Sequence, residues 1–419
     1  MSLLLKNVLL NGEPVEILLA QGRIAKIAPS DAALAADEVL DGGGMAVVPG
    51  LYNGHSHAAM TLFRGYADDM ELYTWLTTRI WPLEARLDEE LVYHGARLAC
   101  LEMIKSGTVF FNDMYWHVHG TVRAADEMGL RAALNAVMID LNDPERYRKQ
   151  VEDNTRLYEE SRSFNDRLQF LLGPHAIYTV SEKGLAWVRD FAAEHNLLIH
   201  MHLSETAKEV ADCIKEHGLR PVHYLERVGL LSERLVAVHA AWVDEEEVSL
   251  LEKHRVRVVH NPISNMKLAV GRSFPYRYFT DHGVLTGLGT DGCASNNNLD
   301  MFETMKFSAL LQKFTTDDPT IQPAAEAWAM ATVNGARIFG LDGGEIAEGR
   351  LADLLLIDTA RPELTPGHNL ISDLVYAASG AVVDTTIVAG RVLMRHRRVE
   401  GEAEIIAAAR AAARRLLAG

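Results

Sequence analysis

The sequence predicts an α/β protein: a TIM (β/α)8 barrel with a small composite β-sandwich domain built from both chain termini. Three observations carry that prediction. Between about residues 50 and 345, short apolar runs alternate with amphipathic segments, and eight such strand–helix units can be counted. Polar candidates stand at the ends of those runs, where a barrel of this kind builds its active site. Strand-like texture without helices fills the first ~45 residues and returns after residue 350.

In chain order, residues 3–5, 8–10, 15–19 and 23–27 read as strands, separated by the turn signals Asn11-Gly12 and Gln21-Gly22. Similar texture returns at 352–357 and 385–393. Neither set is large enough to bury a sheet alone, so the two are expected to pair. The first barrel strand is expected in the apolar run holding Val47 and Val48, punctuated by Pro49-Gly50. The remaining seven are expected at 108–111, 131–134, 168–172, 198–202, 236–239, 256–260 and 286–289, with helices such as 182–194 and 244–254 between them. Residues 1–48 and 349–402 are thus assigned to the β domain and 49–348 to a metal-dependent catalytic barrel. Residues 403–419, rich in Ala, Arg and Leu, are assigned to a C-terminal helix.

Composition narrows the function. Over 419 residues the net charge is −16, and the only basic run is the short Arg395-His396-Arg397-Arg398. A polymeric nucleic acid needs a basic footprint, so none is expected as a partner. The start, Met1-Ser2-Leu3-Leu4-Leu5-Lys6, does not read as a signal peptide. No apolar stretch approaches the ~20 residues of a membrane span. Cys100, Cys213 and Cys293 are scattered, which suggests neither a disulfide framework nor a thiolate metal site. A cytoplasmic protein with no membrane partner is expected.

The chemistry concentrates in a few strand ends. Asn53-Gly54-His55-Ser56-His57 places two imidazoles at i and i+2, on one face of a strand. Among 17 histidines such a pair is weak by itself, and Trp116-His117-Val118-His119 is a decoy that reads as loop surface. Ile199-His200-Met201-His202 supplies a third imidazole; His202 is preferred because it lies nearer the strand end and Glu205 follows it by three residues. Thr290-Asp291-Gly292 offers a hard oxygen ligand. Three imidazoles and a carboxylate without thiolate suit Zn²⁺ first, then Fe²⁺ or Mn²⁺. Glu205 and His239 stand ready as proton carriers, and the set describes metal-assisted hydrolysis.

Longer motifs sharpen this reading. They are Pro49-Gly50-Leu51 through His57, Trp81-Pro82-Leu83-Glu84, Gly173-Pro174-His175, His202-Leu203-Ser204-Glu205-Thr206, His260-Asn261-Pro262-Ile263-Ser264-Asn265 and Gly289-Thr290-Asp291-Gly292-Cys293-Ala294-Ser295-Asn296-Asn297-Asn298. With them the chain resembles, over nearly its whole length, the methylthioadenosine/S-adenosylhomocysteine deaminase branch of the amidohydrolase superfamily. That resemblance implies one divalent metal per chain on His55, His57, His202 and Asp291. It implies catalysis by Glu205, which protonates N1 of the adenine, and by His239 with Asp291, which orient and deprotonate the attacking water. It implies substrate binding by Glu84 on the ribose hydroxyls, by His175 as a second nucleoside contact, and by Glu205 and Asp291 themselves. A homo-oligomer is implied as well. No lysine stands at a strand end to bridge two metals, since Lys105 falls in a helical pattern.

One departure bears on the substrate. Family members that accept S-adenosylhomocysteine carry an arginine in the segment matching 129–137. Here Arg131 lies early in the strand, Asn135 and Ala136 stand at the expected place, and Arg146 and Arg148 read as surface charges. Deamination of 5′-methylthioadenosine or a related adenosine-type nucleoside to the inosine analogue is therefore the leading expectation. The alternatives are a guanine or s-triazine aminohydrolase or chlorohydrolase on the same metal site, for which Glu84 has little purpose, and a non-catalytic scaffold, which should have lost a ligand or Glu205.

Overall fold

The computed structural model describes residues 2–30, 32 and 34–418; Met1, Asp31, Ala33 and Gly419, which fall in the terminal segments assigned above, lie outside the described residues. Apolar runs buried on both faces make parallel strands, and the first three, Leu51–Ser56, Thr108–Tyr115 and Arg131–Met138, are buried at every position except Ala136. They pair in chain order. A fourth, interrupted strand follows as Leu168–Phe170 and Gly173–Pro174, both segments paired with Arg131–Met138. Ile199–Leu203, Leu235–His239, Arg257–His260 and Thr286–Leu288 form a second parallel arc.

Two seams close the arcs into a barrel. At one, Leu172 bridges to Ile199. At the other, the Asp291 N–H donates to the His55 carbonyl at 2.9 Å. Helices lie between the strands, and the two predicted at 182–194 and 244–254 are found as Glu182–His195 and Glu245–Lys253. Ser181 and Asp244 begin them, each accepting from a first-turn N–H.

The first strand departs from the expectation. Val47 and Val48 lie in Ala46–Pro49, which pairs antiparallel with Leu354–Ile357 in the other sheet. The chain crosses between sheets at Gly50, whose N–H donates to the Asp353 carbonyl at 3.0 Å. A Cβ there would meet Val109 Cγ1 at 2.2 Å, so only glycine fits the crossing. The barrel strand starts at Leu51, which puts His55 inside it and His57 just beyond its end.

That other sheet has eight strands, drawn from residues 2–49 and 354–394. Asn11-Gly12 and Gln21-Gly22 turn its first two hairpins with positive φ at both residues (53° and 86°, 53° and 73°), the signature of two-residue hairpin loops. Leu5, Ile17 and Ile24 from the N-terminal strands share a core with Leu354 and Ile387 from the C-terminal ones. The last helix, Glu402–Ala418, packs on Glu89–Lys105. Lys105 ties it down through Glu402 at 2.8 Å and the Arg397 carbonyl at 2.9 Å. Among the described residues no helix is long and apolar enough to cross a membrane, and the three cysteines are free and buried.

Candidate active site

The predicted ligands converge at the C-terminal ends of the first, fifth and eighth strands. The His55 and His57 rings meet edge to face, 4.7 Å between centroids. His202 brings its Nε2 to 3.3 Å from His55 Nε2. Asp291, held in the left-handed region at φ 64°, sets its Oδ1 3.4 Å from His55 Nε2 and 3.3 Å from His57 Nε2. Ser264 Oγ donates to the other carboxylate oxygen at 2.5 Å. His200 stays within the barrel, its ring stacked on His55 at 5.0 Å.

This donor set fits a divalent cation. His57 Nδ1 lies 2.6 Å from the Met114 carbonyl, and His202 Nδ1 lies 2.9 Å from the His175 carbonyl. A carbonyl only accepts, so each Nδ1 carries the proton and each Nε2 of the neutral ring presents a lone pair. His57 Nε2 therefore faces the Asp291 carboxylate acceptor against acceptor, a contact that a shared cation resolves. The ligand atoms of His55, His57 and Asp291 all lie within 4.8 Å of one another. Burial pushes His55 down to about 4 and His202 well below the usual histidine range, which keeps both available as neutral ligands. For Asp291 burial acts upward, but the surrounding imidazoles, His55 first, hold it well below the usual carboxylate range.

Beside this cluster stand the two residues expected to carry protons. His239 ends the sixth strand in the left-handed region at φ 71°, its Nδ1 2.8 Å from Asn265 Oδ1 and its Nε2 3.9 Å from Glu205 Oε2. It also forms a second trio in ligand range with His55 and His202. Burial pushes the Glu205 carboxyl up, with Asp291 adding to the rise against the opposing pull of His239 and His57.

Both line one cleft beside the ligand cluster. Leu72, Trp75, Leu76, Ile80 and Trp81 make an apolar wall, from two short α turns, Leu72–Trp75 and Trp81–Glu84, and the wider π turn Leu76–Ile80 between them. Glu84 ends that wall; burial pushes its carboxyl up against the opposing influence of the nearby Tyr115, His57 and Trp116 side chains. His175 lines the cleft too, its Nδ1 2.9 Å from Thr179 Oγ1. Val137, Ile139 and Tyr178 line it as well, and among the described residues no Lys or Arg does.

The remaining expectations sort cleanly. His117 is exposed, and His119 is an exposed partner of Glu160 at 2.6 Å. His260 stacks on Phe274 at 4.5 Å, away from the cleft. Arg131 is buried 2.7 Å from Asp353, and Arg146 and Arg148 are exposed on Pro144–Ser161. Residue reading missed the orienting partners Ser264 and Asn265. Both lie on the short helix Pro262–Lys267, which follows the seventh strand directly.

A barrel that gathers three imidazoles, a carboxylate and a buried Glu–His pair at its strand ends defines a metal-dependent hydrolase. The chain belongs to the amidohydrolase family, which it matches over residues 46–393. It is 51% identical over 383 residues to a 5′-deoxyadenosine deaminase of Methanoregula boonei, covering 91% of this chain and 87% of the relative. It is 48% identical over 387 residues to 5-methylthioadenosine/S-adenosylhomocysteine deaminase 1 of Archaeoglobus fulgidus, covering 92% and 91%. A crystal structure of an adenosine deaminase from Xanthomonas campestris with bound zinc superposes with a TM-score of 0.92 at 34% identity, covering 100% of this chain and 98% of that one. The resemblance read from the motifs is borne out.

Proposed function

We propose that the protein hydrolyses the C6 amino group of adenosine-type nucleosides, giving the inosine analogue and ammonia, and that it prefers a small uncharged 5′ group, as in 5′-deoxyadenosine or 5′-methylthioadenosine. The observation that carries this reading is Glu205: a buried carboxyl, its proton affinity raised by that burial, 3.9 Å from His239 in a cleft that Glu84 also lines. One divalent cation per chain, zinc first and iron(II) or manganese(II) next, held by His55, His57, His202 and Asp291, would supply water acidified towards a pKa of ~7.

The chain's own groups do the rest. Glu205 gives its proton to purine N1, which makes C6 electrophilic. His239, oriented by Asn265, takes a proton from the attacking water together with Asp291 and passes it to the departing amine. The water oxygen bonds to C6, the C6–N bond breaks, ammonia leaves, and the second water proton returns to Glu205 as the 6-oxo product forms. Glu84 accepts from the ribose hydroxyls, and His175 makes the second nucleoside contact. The 5′ end then meets a cleft lined, among the described residues, by no Lys or Arg that could receive the carboxylate of S-adenosylhomocysteine. The same reading takes the protein to be a cytoplasmic homo-oligomer, with residues 1–48 and 349–402 as its second domain, no nucleic-acid or membrane partner, and a purine nucleoside as its ligand.

An ammonia-release screen over adenosine, 5′-deoxyadenosine, 5′-methylthioadenosine, S-adenosylhomocysteine, adenine and guanine tests it. The two small 5′-substituted ribosides should lead in kcat/KM, and free adenine should trail by up to ~10⁴-fold, because Glu84 is left without its hydroxyls. Turnover of guanine or triazines with none of ribosides would overturn the assignment.

A further inference from the structure

Glu209 has the sequence position of a helix cap and a different set of contacts. Thr206 begins the helix Ala207–His217, its hydroxyl accepting from the Glu209 N–H at 3.1 Å. In a Thr-x-x-Glu box the glutamate reaches back to the N–H of the capping residue, as Glu247 does for Asp244 at 3.1 Å elsewhere in this chain. Glu209 passes Thr206 by. Its Oε1 accepts from the Ser204 N–H at 2.7 Å and its Oε2 from the Glu205 N–H at 2.8 Å.

Those two amides form the turn that leaves the fifth strand. Ser204 sits at φ 50°, in the left-handed region that a side chain disfavours. Its carbonyl is held from the other side by the Trp242 N–H at 2.8 Å. The turn leads directly to Glu205, which lines the cleft. Glu209 itself is 5% exposed and makes no ion pair among the described residues. Burial pushes its carboxyl up to about 7 against the pull of the two amides. A buried carboxyl on backbone donors alone is costly, and a helix end needs nothing so deep.

We propose that Glu209 is a positioning residue for Glu205: its two oxygens clamp the amides of Ser204 and Glu205 and so hold the proton-donating carboxyl in place over the substrate. The proposal rests on the reading of Glu205 as the proton donor. Glu209 touches no reacting atom and acts only through its neighbour.

A double-mutant cycle on the metal-loaded enzyme tests it, with kcat, KM, metal content and Tm measured for Glu209→Gln, Glu205→Gln and the double variant. A glutamine has one acceptor and turns an NH2 towards the second amide. Glu209→Gln should lower kcat by ~10–100-fold, the scale of a misplaced catalytic group, with KM and metal content little changed. Glu205→Gln should lower kcat by ~10²–10⁴-fold. The double variant should be no slower than Glu205→Gln, because nothing remains for Glu209 to position. Thr206→Ala, which removes the helix cap and spares the clamp, should lower Tm and leave kcat alone. Effects that multiply in the double variant, or a wild-type kcat in Glu209→Gln, would overturn the clamp while leaving the deaminase reading intact. A wild-type kcat in Glu205→Gln would remove the proton donor and this proposal together. If Glu209→Gln does not fold, Glu209→Asp carries the same expectation, since it keeps the charge and is too short to reach both amides.

Discussion

At the scale of single residues, the orientation of His239, the proposed base, is set by its neighbour. Asn265 Oδ1, 2.8 Å from His239 Nδ1, keeps the proton on Nδ1 and leaves Nε2 bare towards Glu205. Asn265→Ala removes that constraint, and kcat should fall by ~10–100-fold, the usual cost of losing an orienting partner, with KM little changed. Steady-state kinetics with parallel metal analysis checks this. A matching loss of metal would instead place His239 among the ligands, since it stands in range with His55 and His202. His55, His57, His202, Glu205 and Asp291 could all be found from sequence, because each is a polar residue at the end of an apolar run. Asn265, Ser264 and Glu209 could not be given roles that way. What they do depends on which atom they reach across the turn, and spacing does not encode that.

At the scale of elements, apolar runs identified the strands, but a run does not say which sheet it joins. Residues 46–52 are nearly continuous in character, and the division at Gly50 follows from tertiary contacts: the Gly50 N–H to Asp353 on one side and the crowding of Val109 on the other. The π turn Leu76–Ile80 was equally hidden. It precedes Trp81-Pro82, where the missing proline N–H removes one helical hydrogen bond and favours a widened turn. Arg131 shows the same limit, since its charge near the expected site belongs to the joint between sheets. Its Nε lies 2.7 Å from Asp353 Oδ2, while Asp353 Oδ1 takes the Ala389 N–H at 2.8 Å. Arg131→Met strands a buried carboxylate and should cost ~3–5 kcal/mol. Thermal melts should show a clear drop in Tm, with kcat/KM for 5′-deoxyadenosine retained in the folded enzyme. A selective loss of S-adenosylhomocysteine turnover without a fall in Tm would contradict this structural role.

At the scale of the whole molecule, the site lies across both closures of the barrel. The Asp291 N–H meets the His55 carbonyl at the seam between the eighth and first strands, and the side chains of the same two residues meet at 3.4 Å. At the seam between the fourth and fifth strands, the His175 carbonyl accepts from both the N–H and the Nδ1 of His202, at 3.0 and 2.9 Å. A cation held by His55, His57, His202 and Asp291 would therefore tie one arc to the other, through ligands that the unfolded chain does not gather. Binding to the native state alone stabilises it by RT ln(1 + [L]/Kd), ~4 kcal/mol at a thousandfold excess over Kd. Chelation should consequently lower Tm by several degrees as well as abolish ammonia release, and added zinc should restore both together. Differential scanning calorimetry of the chelated and reloaded protein checks this. Lost activity with an unmoved Tm would mean that the backbone bonds at the seams hold the barrel closed unaided, and that the cation serves chemistry alone.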